Sequence, residues 1–147
     1  MRIVVQRVKS ASVQVLDKEV SSIQKGFLLL VGIHVNDTLE IAKYLAKKVA
    51  KLRIFTDQQD KLNLDICQVD GEILSVSQFT LYGDTSDGNR PSFTSAMRPE
   101  GANELYSYFN HELELLIGRP VKTGIFQTEM SVSLVNDGPV TIILEKS

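Results

Sequence analysis

Chemistry in this 147-residue chain has few places to come from, and Ser77-Gln78-Phe79-Thr80-Leu81 is the first of them. Gln78 carries amide N–H donors and Thr80 a hydroxyl. On an extended strand these two share a face, opposite Ser77, Phe79 and Leu81. With free backbone N–H groups beside them they would stabilise a developing oxyanion, although as isolated residues the same types are more often ordinary strand polars. The usual catalytic parts are otherwise missing. His34 follows an apolar run and His111 lies among glutamates, neither with a nucleophile or metal partner close in sequence. There is no Gly-x-Ser-x-Gly elbow, no glycine-rich phosphate loop and no His/Cys/Asp metal spacing. Asp57, Asp60, Asp65 and Asp70 are scattered and read as solvated loop residues.

The second unusual stretch is Asn136-Asp137-Gly138-Pro139-Val140-Thr141, between an alternating run (Met130 to Val135) and a β-branched one (Val140 to Leu144). Asn-Asp-Gly alone spells a tight turn, but the proline removes a ladder donor and fixes φ. Two readings are open. In the simpler one a plain turn lets Pro139 begin an edge strand. In the other the Gly138-Pro139 bond is cis, which costs only about 0.5–1 kcal/mol over trans and sets two carbonyls side by side as a rigid wall. A third feature is cationic: Lys43, Lys47, Lys48 and Lys51 recur along one side of a helical pattern, either as a solvated face or as a phosphate-facing stripe.

The elements that must position these residues follow from periodicity. Residues 2–16 alternate and predict a long strand or two collinear ones, a short strand runs through Val20 and Ile23, and Phe27 to Ile33 is apolar enough for a strand covered on both faces. Leu39, Ala42, Leu45, Ala46, Val49 and Leu52 mark a helix, with Asp37 and Glu40 close to a capping box. Leu62 to Ile66 and Glu72 to Leu81 read as strands joined by an Asp70-Gly71 hairpin. Pro99, the Leu105-Phe109-Leu113-Leu116 stripe and Gly118-Pro120 delimit a second helix. Val121 to Phe126 is a further short strand. The fold class expected is α+β: one compact domain over 1–147, mainly antiparallel and barrel-like, with two main helices.

At 43% hydrophobic and 23% charged residues the chain is able to bury roughly two thirds of its unfolded surface in one core. The single Cys67 forms no internal disulfide and no zinc set, so a reducing, cytosolic setting is expected. No apolar run is long enough to span a bilayer, and no amino-terminal signal is read. A net charge of −2 argues against a general nucleic-acid coat but not against a local basic patch.

Taken together, Ser77-Gln78-Phe79-Thr80-Leu81, Arg90-Pro91-Ser92-Phe93 and Asn136 to Thr141 resemble the D-aminoacyl-tRNA deacylase family in order and spacing. Gln6-Arg7-Val8, Ala11-Ser12-Val13, Arg53-Ile54-Phe55 and Lys61-x-Asn63 extend the likeness over the whole chain. The resemblance implies a homodimer that hydrolyses the ester between a D-amino acid and the terminal adenosine of tRNA; no cofactor is expected, and the sequence offers no metal site. It implies a cis Gly138-Pro139 bond, inserted into the neighbouring subunit's site as a chiral filter. Gln78, with backbone N–H groups around Phe79 and Thr80, would then hold the carbonyl oxygen. The ribose 2′-hydroxyl of the tRNA would help to activate water. Thr80 is read first as a positioning group, since no base sits beside it in sequence, with covalent attack by its hydroxyl as the lesser alternative. Rejection of L substrates would be steric, which leaves glycine as an unwanted substrate. Ser77, Phe93 and Met130 are expected in the pocket or against tRNA, and Arg7, Arg53, Arg90, Lys47 and Lys51 against the acceptor end. Where the family often has small residues before Met130, this chain has Gln127-Thr128-Glu129. The rival readings are a tRNA-binding module without catalysis, a structural or ligand-binding dimer, and a deacylase of relaxed chirality.

Overall fold

The computed structural model describes residues 1–147. Eight strands and two α-helices follow in the order β1 (Arg2–Val15), β2 (Lys18–Ile23), β3 (Gly26–Gly32), α1 (Leu39–Lys51), β4 (Phe55–Thr56), β5 (Leu62–Leu64), β6 (Glu72–Ser77), α2 (Pro99–Ile117), β7 (Lys122–Thr123) and β8 (Ser131–Glu145), with a short 3-10 helix over Phe79–Tyr82. Alternation in β1 changes phase after Val8. Ile3 and Val5 therefore face the helices, whereas Val8, Ala11 and Val13 face a second, smaller apolar cluster. Strand β3 is covered on both faces, as its sequence predicts: Phe27, Leu29 and Val31 pack under the helices and Leu28 on the opposite side. Helix α1 buries Ala42, Leu45, Ala46, Val49 and Ala50, and α2 buries Ala102, Leu105, Tyr106, Phe109 and Leu113.

The main sheet runs β2-β1-β3-β6-β7, with β8 on β1. Side chains draw its ends together into a nearly closed barrel: Ser21 Oγ donates to the Thr123 carbonyl and Lys122 Nζ to that of Ser22, each at 2.8 Å. Pairing is antiparallel around β1 but parallel for β3–β6 and β6–β7. Parallel neighbours need crossovers, and the helices supply them.

Three sequence expectations change here. Asp70-Gly71 closes no hairpin, because β5 pairs back on β4 while β6 joins β3 in parallel. Asp37 does not cap α1. Thr38 does, accepting from the Ile41 N–H, and Asp37 instead takes the Met1 amino group (2.5 Å) and the His34 N–H (2.7 Å). Asn136 to Thr141 is no turn between two strands, because β8 is continuous along β1. Gln6 faces Thr141 and Val8 faces Asn136, so Arg7 alone on β1 stands opposite Asp137, Gly138, Pro139 and Val140. A four-residue bulge results, with the Gly138-Pro139 bond cis.

Candidate active site

A cavity of about 620 Å³ opens where β3 and β6 end beside the start of α2. Its wall includes Ile33, Ala96, Met97, Pro99, Ala102, Phe126 and Met130, and its polar edge is Ser77, Gln78, Thr80, Gln127, Thr128 and Arg98. The segment before α2 is held there by the end of β3: the Met97 N–H donates to the Ile33 carbonyl at 2.9 Å, and the Val35 N–H to Ser95 at 2.8 Å.

The expected strand through Leu81 stops at Ser77. Gln78 still donates its N–H to the Val31 carbonyl (2.8 Å), after which the chain leaves the sheet and winds into the 3-10 helix. This turn, rather than strand alternation, brings Gln78 and Thr80 together, with Gln78 Nε2 donating to Thr80 Oγ1 at 3.0 Å. The first N–H groups of a short helix lack intrahelical acceptors. The Leu81 N–H is taken by the Gln78 carbonyl, but no loop or side-chain acceptor takes those of Phe79 and Thr80. Three kinds of donor therefore lie within three consecutive residues of the cavity lining: an amide, a hydroxyl and two main-chain N–H groups. The cavity wall contains no carboxylate, histidine or lysine that would deprotonate Thr80.

Aromatic rings frame this edge. Phe79, 56% exposed, meets Phe93 edge to face at 5.1 Å, and Phe126 stacks on Tyr106 at 6.2 Å. The Tyr106 hydroxyl donates to the Ser75 carbonyl at 2.8 Å, and burial raises its pKa. The far end of the 3-10 helix is anchored by Arg2, whose Nη1 donates to the Leu81 carbonyl (2.7 Å) while its other nitrogens bind Glu145 at 3.0 and 3.2 Å. That pairing raises the Arg2 pKa and holds the Glu145 carboxyl below its usual range. Burial beside Asp37 pushes the Tyr82 phenol up to about 12.

Gly138 and Pro139 are both exposed and neither lines this cavity. Arg7 holds their bulge from beneath. Its Nε donates to the Asp137 carbonyl (3.1 Å), Nη1 donates to that of Ile54 (2.7 Å), and the Asp137 carboxylate lies 3.5 Å away. A Cβ on Gly138, where φ is +122°, would sit 3.1 Å from Arg7 Nη2 and 3.0 Å from Val140 Cγ2, so glycine is needed there.

Of the residues expected at the site, Ser77, Gln78, Phe79, Thr80, Phe93 and Met130 line the cavity together. Arg7, expected against the acceptor end, is buried and its guanidinium is committed to the bulge and to Ile54. Arg53 binds Asn63 through its carbonyl (2.9 Å) and side chain, and Arg90 is exposed on the loop closed by Asp84 and Ser92. Lys43, Lys47, Lys48 and Lys51 are exposed on α1, away from the cavity, with Lys48 and Lys146 over the Tyr44 ring at 5.9 and 5.3 Å. The sequence reading missed Arg98, whose only local signal is its place before a helix-starting proline. Of the departing residues Gln127-Thr128-Glu129, the first two line the cavity and Glu129 does not, while Gln127 adopts φ +59°.

Residues 4–145 match the family described as D-Tyr-tRNA(Tyr) deacylase. A protein of Exiguobacterium sibiricum named D-aminoacyl-tRNA deacylase is 55% identical over 146 residues, covering 99% of this chain and 100% of its own length. One of the same name from Geotalea daltonii is 52% identical over 145 residues, covering 99% and 96%. Among solved structures, the c-Myc DNA Unwinding Element Binding Protein matches with a TM-score of 0.93 at 39% identity over 100% of this chain and 99% of its own. A probable eukaryotic D-amino acid tRNA deacylase, at 18% identity, shares the fold with a TM-score of 0.84 over 97% of both chains.

Proposed function

Since the chain belongs to the D-Tyr-tRNA(Tyr) deacylase family, we propose that it hydrolyses the ester joining a D-amino acid to the terminal adenosine of tRNA, releasing both. The observation that carries this is the donor-rich, base-free edge formed by Gln78, Phe79 and Thr80 on a cavity of ligand size. An aminoacyl ester is already activated. Hydrolysis then needs positioned water and donors for the negative charge that develops on the carbonyl oxygen. Gln78 Nε2 and the Phe79 and Thr80 N–H groups hold that oxygen. Thr80, whose oxygen already accepts from Gln78, orders the donor edge instead of attacking. The tRNA's own 2′-hydroxyl assists the water.

Chirality is read by a second copy of the chain. Strand β8 pairs only with β1, so its outer edge offers unpaired backbone groups, and Val135 and Ile143 are 52% and 64% exposed along it. A homodimer built there would carry the exposed Gly138-Pro139 bulge to the partner's cavity. Main-chain carbonyls of the pair would bind the substrate amino group and direct an L side chain into backbone, whereas a D side chain points outward. Glycine, with nothing to reject, passes. Lys43, Lys47, Lys48 and Lys51, none of them in an ion pair, together with Arg90 face the tRNA phosphates. Reduced Cys67 and a tRNA substrate fit a cytoplasmic enzyme, and no helix is long and apolar enough to cross a membrane.

The test is hydrolysis of D-tyrosyl-tRNA beside L-tyrosyl-tRNA by dilute purified protein. Loss of the D ester alone is expected. Loss of both removes the chiral filter, and loss of neither removes the deacylase reading.

A further inference from the structure

The chain has six arginines, and four of them are committed to protein groups: Arg2 to Glu145, Arg7 to Asp137 and Ile54, Arg53 to Asn63, Arg119 to Asp70. Arg98 is in none of the five ion pairs, and its guanidinium makes no hydrogen bond within the chain. It is also the one charged residue among the fifteen that line the cavity. Position is not left to a flexible loop. The residue before a proline is confined to extended backbone, and Arg98 sits at φ −62°, ψ 151°, its carbonyl accepting from the Ala102 N–H at 2.9 Å.

An exposed arginine with no partner in the chain, on the lining of an otherwise neutral, largely apolar cavity, suits a single anionic group on the ligand. The substrate class proposed above offers one next to the esterified nucleoside: the phosphodiester that joins the terminal nucleoside to the rest of the strand. We propose that Arg98 binds this phosphate and so sets how deeply the terminal nucleoside enters, placing the ester at Gln78 and Thr80. Arg98 is therefore a positioning residue, and its role rests on the deacylase reading.

Two substrates separate this role from a structural one. Charged D-tyrosyl-tRNA carries the phosphate, whereas the 2′(3′)-O-D-tyrosyl ester of adenosine lacks it. On D-tyrosyl-tRNA, Arg98→Ala raises KM about tenfold or more and lowers kcat as well, because the ester is no longer seated at the donor edge. Arg98→Lys recovers part of the loss, and Arg98→Ala lowers the slope of log KM against log salt by about one. On the adenosine ester wild type and Arg98→Ala have equal kcat/KM. Equal losses on the two substrates would overturn the assignment in favour of a structural role, and so would an unchanged KM on tRNA. Should wild-type protein hydrolyse neither ester, the deacylase reading itself falls, a result distinct from an Arg98 variant that behaves alike on both.

Discussion

Replacing Arg7 by Ala tests whether the Gly138-Pro139 bulge is held by the body of the protein. The guanidinium is nearly inaccessible, with Arg7 7% exposed, and reaches the Ile54 carbonyl at 2.7 Å, the Asp137 carbonyl at 3.1 Å and the Asp137 carboxylate at 3.5 Å. Truncation leaves the buried Ile54 carbonyl without this donor, at about 1–3 kcal/mol, and loosens Asp137, which water reaches more easily. A loss of about 3 kcal/mol is expected. For a chain of this length that corresponds to roughly 9 °C in Tm. Arg7→Lys keeps the charge but not the fork that addresses Ile54 and Asp137 at once, so about half the loss remains. Thermal unfolding followed by circular dichroism at two protein concentrations separates this from any change in association. D-tyrosyl-tRNA hydrolysis well below the midpoint, meanwhile, reports on the bulge. A midpoint for Arg7→Ala within about 2 °C of wild type would refute the reasoning, because the contacts would then carry no net energy.

Three further outcomes follow from the site. Gln78→Ala lowers kcat by roughly 10²–10³, as loss of an oxyanion donor does, whereas Thr80→Ala costs about tenfold by disordering Gln78; complete loss in folded Thr80→Ala protein, seen in single-turnover assays, would make Thr80 the nucleophile. Gly138→Ala and Gln78→Ala are each nearly inactive, yet co-refolded in equal amounts they regain about a quarter of wild-type activity, since half the dimers are mixed and each holds one intact site; no recovery would put the bulge in its own subunit's site. Arg2 holds the Glu145 carboxyl below its usual range, so this pair adds stability above the ordinary carboxylate pKa and loses it as pH falls through the depressed value. For so exposed a pair the effect is about 0–1 kcal/mol, and Arg2→Gln flattens the acid side of a Tm-against-pH curve by that much; an unchanged curve would contradict the pairing.

Elements whose buried face repeats along the chain were legible in the sequence. Both helices and the strands β1 and β3 follow their apolar periods, because burial of that face is what holds them. Pairing partners were not. Asp70-Gly71 spells a hairpin locally, yet the strand after it finds a better place beside β3, where Ile73 and Leu74 reach the two apolar clusters on opposite faces. The Ser77–Leu81 residues were found by type, but their geometry was mistaken. A strand reading sets Gln78 and Thr80 side by side by alternation, whereas in the fold a turn does so and in the process frees main-chain donors that a strand would have used in its ladder.

The bulge at Asn136 to Thr141 shows a failure of another kind. Locally the hexapeptide prefers to turn, and nothing within it shows that a strand 130 residues away in sequence will run alongside. Pairing with β1 on both sides of the break leaves four residues no place in the ladder, and a buried arginine takes up the Asp137 carbonyl that the break leaves free. Conformation here is imposed by tertiary contacts against local preference. Arg98 follows the same logic from the opposite side. Its backbone obeys the local rule before a proline, but its place on a cavity walled by the ends of β3 and β6, the start of α2 and the segment before β8 is set only by the fold. Sequence patterns report what stabilises an element in isolation, whereas these two positions are defined by what surrounds them after folding.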